Sequence, residues 1–120
     1  MKFGCKQIST FFYSNPSPKF RNIAKKIFLK LHKSLDLVHP CYNPHLHWAK
    51  DLVYYYGLFV NLLPKDLPIT VYVVNDGSSQ GINEQDILYL KAQIPHFTYI
   101  DLPKNLGKGG ALREAIRKTT

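Results

Sequence analysis

The chain has 120 residues, of which 45% are hydrophobic, and a formal net charge of +8 at neutral pH. This length predicts one domain with one hydrophobic core, and no apolar stretch reaches the roughly 18 residues that a membrane-spanning helix needs. Lysines and polar residues interrupt the N-terminal stretch, so we expect no secretory signal peptide.

The positive charge is concentrated in residues 1–34. This segment holds eight of the 16 Lys and Arg residues and none of the 8 acidic ones, so residues 35–120 are neutral overall. A nucleic-acid-binding domain needs a basic face on its folded body, and the distribution therefore argues against nucleic acid as a partner. We expect residues 1–34 to form a basic arm and residues 35–120 to form the folded domain.

A short amphipathic helix is predicted within the arm, over residues 20–33. Ile23, Ile27 and Leu31 recur at helical spacing, and lysines flank them. Such a helix is suited to an anionic membrane surface, and equally to packing on protein. We expect a cytoplasmic protein. Peripheral membrane contact through residues 20–33 is the alternative.

From residue 35 onward, predicted strands and helices alternate. The predicted strands cover residues 35–40, 69–75 and 97–102. The predicted helices cover residues 45–63, 83–94 and 108–120, with Asn83 as the N-cap of the second. The alternation predicts right-handed parallel crossovers, hence an open Rossmann-like α/β sheet with helices on both faces and the strand order third, second, first.

Ligands of such sheets bind outside the carboxyl ends of the strands. Three segments should meet at this edge, namely Pro40–Asn43, Asn75–Ser78 and Asp101–Lys108. Asp76 has two interpretations: it is a turn residue, or its carboxylate accepts a hydrogen bond from a bound base or ribose. Tyr42 is placed to stack on a base.

The glycine-rich segment NLGKGG, residues 105–110, fits neither of two common phosphate-binding motifs. A Walker loop needs a different spacing and a hydroxyl residue after the lysine. A dinucleotide fingerprint needs a third glycine where this chain has Leu112, and it should follow the first strand. What remains is a glycine-rich helix start with Lys108, suited to a phosphate or to close packing.

Histidines and cysteines do not form a recognisable metal or disulfide pattern. His39, Cys41, His45 and His47 lie within nine positions, but their spacing does not match that of zinc sites. Cys5 and Cys41 lie far apart, which favours two reduced thiols over a disulfide.

Together, the segments DLVHPCYNP, VYVVNDGSSQG and NLGKGGALREAI resemble family 2 glycosyltransferases, enzymes that use nucleotide-sugar donors. The first family strand ends in Pro-x-Tyr-Asn, the second in Asp-Gly-Ser, and the third precedes Asn-x-Gly-Lys-Gly-x-Ala-x-Arg. The resemblance covers residues 35–118, and its last motif is most similar to enzymes that transfer sugars onto polyprenyl phosphates.

The resemblance implies a binding site for a UDP- or GDP-sugar, whose sugar would pass to a lipid-phosphate or saccharide acceptor. Residues 40–42 would line the nucleoside pocket, Asp76 would hydrogen-bond the base, and Lys108 would lie near base or diphosphate. The implied nucleotide-binding residues are Pro40, Cys41, Tyr42, Asn43, Asp76, Gly77, Asn105, Gly107 and Lys108.

Two departures from the family pattern bear on activity. Pro44 stands where many members carry an acidic residue, and residues 114–120 contain no Asp-x-Asp metal motif. A divalent cation, Mn or Mg, normally neutralises the diphosphate leaving group, and an inverting transfer also needs a carboxylate base. We therefore expect a truncated donor-binding half, with no catalytic residues of its own, that transfers no sugar alone. The alternative is a non-catalytic module that binds nucleotide, membrane or a partner.

Overall fold

A computed structural model of the protein describes residues 18–19, 22–23, 26 and 33–119. The predicted basic arm and its helix over residues 20–33 lie almost entirely outside the described residues, so both stay predictions. The strands are β1 (Leu35–Cys41), β2 (Ile69–Asp76) and β3 (Phe97–Leu102). The helices are α1 (Trp48–Val60), α2 (Glu84–Gln93) and α3 (Gly107–Thr119).

The three strands form one parallel sheet in the order β1-β2-β3. Cys41 of β1 lies beside Asn75 of β2, and Asn75 lies beside Asp101 of β3. The carboxyl ends of all three strands therefore meet at one edge. This confirms the predicted parallel crossovers and strand order.

Helices pack on both faces of the sheet, as the near-continuous apolar sequence of β2 predicts for a strand covered on both sides. Val71 and Val73 belong to a core shared with α1 and α2, while Val74 packs with Ala111 and Ala115 of α3. Successive side chains of a strand point to opposite faces, which explains this division. The open α/β architecture is confirmed.

Several element boundaries differ from the predicted ones by one to three residues, and two of these differences have a clear physical reason. The first strand runs through Pro40 to Cys41, and proline is tolerated there because β1 is an edge strand of the described sheet. The first helix begins at Trp48 rather than at residue 45, because His47 has φ 69° and ψ 13°, a left-handed conformation that a helix excludes. Asn83 caps α2 as predicted, its Oδ1 accepting from the Asp86 amide at 2.8 Å.

No helix in the described part of the chain is long and apolar enough to cross a membrane.

Candidate functional site

Three loops extend from the carboxyl ends of the strands. We call them the first loop (42–47, after β1), the second loop (77–83, after β2) and the third loop (103–106, after β3). All nine nucleotide-binding residues that the family resemblance implies lie in these loops or within two residues of them. The structure thus brings the three predicted segments together. Hydrogen bonds join the first loop to the second loop, and the end of β2 to the third loop.

Asp76 ties the end of β2 to the third loop. Its Oδ1 accepts a hydrogen bond from the Leu106 amide at 2.7 Å, and its Oδ2 accepts from Asn105 Nδ2 at 3.2 Å. Asn105 Nδ2 also donates to the backbone oxygen of Asp76 at 3.1 Å. Asp76 is only 3% exposed. Its carboxylate therefore has a structural role. The sequence alone did not distinguish such a role from ligand binding.

Gly77 brings the second loop against the third. Its φ of +68° is a left-handed conformation, and a Cβ at this position would lie 2.9 Å from Lys104 Cα and closer still to the carbonyl carbon of Lys104 and the amide nitrogen of Asn105. Only glycine satisfies both constraints without strain. Gly107 also has a left-handed φ of +78°, but a Cβ there would meet nothing within 4 Å.

Asn43 joins the first loop to the second. Its Oδ1 accepts from the backbone amides of Ser79 at 2.8 Å and Gln80 at 3.2 Å. Its own backbone amide donates to Ser78 Oγ at 2.9 Å. Asn43 was predicted to contact the nucleotide, but its side-chain oxygen already accepts hydrogen bonds from the protein backbone.

Of the predicted site residues, Tyr42 and Lys108 present large side chains to solvent. Tyr42 is 55% exposed, and Lys108 lies exposed in the first turn of α3. Cys41 is 4% exposed and belongs to the core shared with α1 and α2, and Pro40 is half-buried. A ligand above the strand ends would therefore meet the aromatic ring and the ammonium group first.

His39 lies in β1 directly before the predicted segment and is 6% exposed. Burial, together with a smaller effect of the positive charge of Lys108, lowers its pKa from 6.5 to about 4. The imidazole is therefore neutral at pH 7.

A cavity of about 490 Å³ lies beside the second loop, between α2 and β3. None of the nine predicted residues lines it. Its polar wall includes Asn75, whose Nδ2 donates to Asp101 Oδ1 at 2.7 Å and whose Oδ1 accepts from the Ser78 amide at 2.9 Å. The Tyr99 hydroxyl donates to the same Asp101 oxygen at 3.3 Å.

Asn75 and Asp101 belong to segments predicted to meet at this edge, but neither they nor Tyr99 are among the nine predicted nucleotide-binding residues. The signal for Asn75 and Asp101 in the sequence is positional, because both stand at the carboxyl ends of predicted neighbouring strands. Burial raises the pKa of the Tyr99 phenol, which keeps that group protonated and able to donate.

No group of three or more His, Cys, Asp or Glu residues within the described ranges is arranged to hold a metal ion. His45 instead forms a pair with Asp51, with 2.8 Å between Nε2 and Oδ2, and both side chains are exposed. The residues present therefore do not fit the divalent cation that the family resemblance implies.

Comparison with known proteins adds a family and a relative. A family profile described as glycosyl transferase family 2 matches residues 37–120. A protein of Mesorhizobium japonicum named N-acetylglucosaminyltransferase is 32% identical over an alignment of 93 residues, and the match covers 72% of this chain and 19% of that protein. The matched region is thus about a fifth of that relative's length. No solved structure matches the chain at a significant level.

Proposed function

Because the chain belongs to glycosyl transferase family 2, we propose that it binds the nucleotide of a UDP- or GDP-sugar across the carboxyl ends of β1, β2 and β3. The observation that carries this proposal is the joining of the three loops by Asn43 and Asp76. Exposed Tyr42 begins the first loop, and exposed Lys108 lies two residues after the third loop. A site whose loops are already held together loses less conformational entropy when a ligand binds.

Each exposed group has a chemical role in this proposal. The ring of Tyr42 stacks on the base, a contact that all nucleobases offer through their π faces. Lys108 supplies a positive charge to the diphosphate, aided by the amino end of α3, which favours anions. Pro40 and Cys41 line the nucleoside side of the site together with Tyr42, and the Gly107 amide adjoins the phosphate side.

Asp76 also keeps a role toward the base in this proposal. The loop donors bound to its carboxylate leave further lone pairs on the two oxygens, since a carboxylate offers about four acceptor positions. One of these could accept from a base N–H. Because Asp76 is 3% exposed, such a base would have to insert between Tyr42 and the third loop.

The transfer reaction needs groups beyond those described. Cleaving the sugar–phosphate bond places negative charge on the leaving diphosphate, and family members commonly neutralise it with a divalent cation. The described residues hold no ligand set for such a cation. We propose that they serve donor binding, and that the metal ligands, the base and the site for a lipid-phosphate or saccharide acceptor lie outside them. The second candidate function is a module that binds nucleotide without catalysis. The missing set of metal ligands among the described residues favours this candidate.

Calorimetric titration of UDP and GDP into the full chain tests the proposal. Tyr42→Ala should weaken binding about five- to a hundredfold, the range expected when base stacking is lost. Lys108→Met should weaken binding through a charge effect that fades with added salt. Lys65→Met is the matched control, since exposed Lys65 precedes β2 at the opposite end of the sheet. If neither nucleotide binds at millimolar concentration, or if all three variants bind alike, the proposal is wrong.

A further inference from the structure

The first loop is joined to the second mainly through one side chain, that of Asn43. A single carboxamide oxygen accepts from two consecutive backbone amides, those of Ser79 and Gln80, at 2.8 and 3.2 Å. The Asn43 backbone has φ 44°, a left-handed conformation that asparagine tolerates better than most residues. Both the backbone and the side chain of this position therefore suit asparagine.

Further contacts continue this junction along both loops. The backbone of Gly81 lies so close to Pro44 that a Cβ on Gly81 would stand 3.0 Å from Pro44 Cδ and 3.1 Å from its nitrogen. The indole nitrogen of Trp48 donates to the Gly81 oxygen at 3.0 Å. The chain from Asn43 to Trp48 is thus held against the second loop at both of its ends.

We infer that Asn43 is a positioning residue for nucleotide binding, acting through the neighbouring Tyr42 rather than by touching the nucleotide. The inference rests on the proposed function, because it assumes that Tyr42 stacks on the base. Its physical basis is that Tyr42 is 55% exposed, so its own packing restrains it weakly. The hydrogen bonds of the next residue then fix the backbone from which its ring projects.

A direct contact is the competing role for Asn43, and it would use the carboxamide nitrogen as a donor to the ligand. Asn43→Asp separates the two roles, because aspartate keeps an oxygen for the Ser79 and Gln80 amides and loses the N–H donor. Aspartate also tolerates the left-handed backbone. Asn43→Gly removes both functions without adding backbone strain at φ 44°.

The experiment combines UDP and GDP titration with amide hydrogen exchange on the full chain. We expect Asn43→Gly to weaken nucleotide binding about threefold to thirtyfold, an order-of-magnitude loss set by the stacking contact that it loosens. Exchange at the Ser79 and Gln80 amides should become faster at the same time. Asn43→Asp should restore both properties, with any residual charge effect fading at higher salt. Gln80→Ala, which keeps both backbone amides and removes an exposed side chain, is the control.

A double-mutant cycle shows whether Asn43 acts through Tyr42. In a Tyr42→Ala background, Asn43→Gly should cause little further loss of nucleotide affinity, because the contact that it positions is already gone. Equal losses in both backgrounds, or failure of Asn43→Asp to restore binding, would overturn the inference. If the unmodified chain binds neither nucleotide, the proposed function fails, and the hydrogen-exchange comparison still tests the junction between the loops.

Discussion

The carboxylate of Asp76 and the backbone amide of Leu106 lie 2.7 Å apart, and this hydrogen bond connects the end of β2 to the third loop, 30 residues further along the chain. Leu106 directly precedes α3, so the bond also fixes where that helix begins. Asn105 adds a second donor to the same carboxylate. A residue predicted to contact a base thus also organises the loops around that site.

Asp76→Ala should destabilise the fold by about 1–3 kcal/mol. The substitution leaves the Leu106 amide and the Asn105 side chain without their acceptor, and that range is typical for unsatisfied polar groups. Urea unfolding followed by circular dichroism measures the change. Asp66→Ala is the control, because Asp66 is exposed in the loop before β2. Equal midpoints for the two variants would show that the Asp76 bonds contribute nothing to stability.

Glycine-to-alanine substitutions should separate two contributions to stability, the cost of a left-handed backbone and the cost of a clash with a neighbouring backbone. Gly77→Ala combines a left-handed φ with a clash against the backbone of Lys104 and Asn105, whereas Gly107→Ala has the φ cost alone. We expect a loss of about 1–2 kcal/mol for Gly107→Ala and a further 1–3 kcal/mol or so for Gly77→Ala. Gly57→Ala, in the interior of α1 with open space around it, should stabilise by about 0.5–1 kcal/mol. Denaturant midpoints that rank these variants otherwise would contradict the argument.

Much of the fold was predictable because its signals are local. The β-branched run of β2 and the apolar spacing of α1 identify these elements, and alternation of strands with helices implies a parallel sheet. The boundary at His47 was not predictable, because the left-handed backbone that starts the helix one residue later belongs to a histidine, and the sequence carries no local signal for it.

The location of the candidate site was predictable for a related reason. Parallel strands align their carboxyl ends, so Pro40–Asn43, Asn75–Ser78 and Asp101–Lys108 had to converge at one edge. How the side chains use their hydrogen-bonding atoms was not predictable. The side-chain oxygens of Asn43 and Asp76 accept hydrogen bonds from backbone amides that are 30 or more residues away in the chain, and such pairings leave no local signal in the sequence.

Asn75→Asp should destabilise the protein at pH 7 by about 1–3 kcal/mol. The Asn75 amide donates to Asp101 at 2.7 Å, so a carboxylate at position 75 would face another carboxylate without a proton between them. Like charges at this distance raise a carboxyl pKa, so lowering the pH should reduce the loss. The measurement is the unfolding free energy of both proteins at pH 7 and pH 4.5.

Restoring one donor should rescue that variant. In the double variant Asn75→Asp with Asp101→Asn, the carboxylate and the amide exchange positions, so the hydrogen bond can form again. We expect it to recover most of the lost stability, while Asp101→Asn alone should cost less than Asn75→Asp. A double variant no more stable than Asn75→Asp would show that the pair is not coupled.

His39 should make the stability of the protein depend on pH between about 6.5 and about 4. Burial lowers the pKa of its imidazole from 6.5 to about 4, with a smaller contribution from Lys108. Above pH 6.5 the imidazole is neutral in the folded and unfolded chains, and it contributes no pH dependence. As the pH falls from 6.5 toward 4, the unfolded chain binds a proton that the folded chain does not. The free energy of unfolding therefore decreases on acidification, by up to about 3 kcal/mol, and this contribution becomes constant below the folded pKa.

Urea unfolding at intervals from pH 7.5 to 4 checks this expectation in the unmodified chain and in His39→Gln. Glutamine removes the titrating group, so the variant should lose less stability across the window, whatever its stability at pH 7.5. His96→Gln is the control for replacing a histidine with glutamine, because His96 is exposed whereas His39 is buried. Carboxyl groups titrate mainly in the lower part of the range, so the difference between the curves from pH 6.5 to 5 isolates the histidine. Parallel curves for the unmodified chain and His39→Gln would show that His39 takes up its proton equally in the folded and unfolded states.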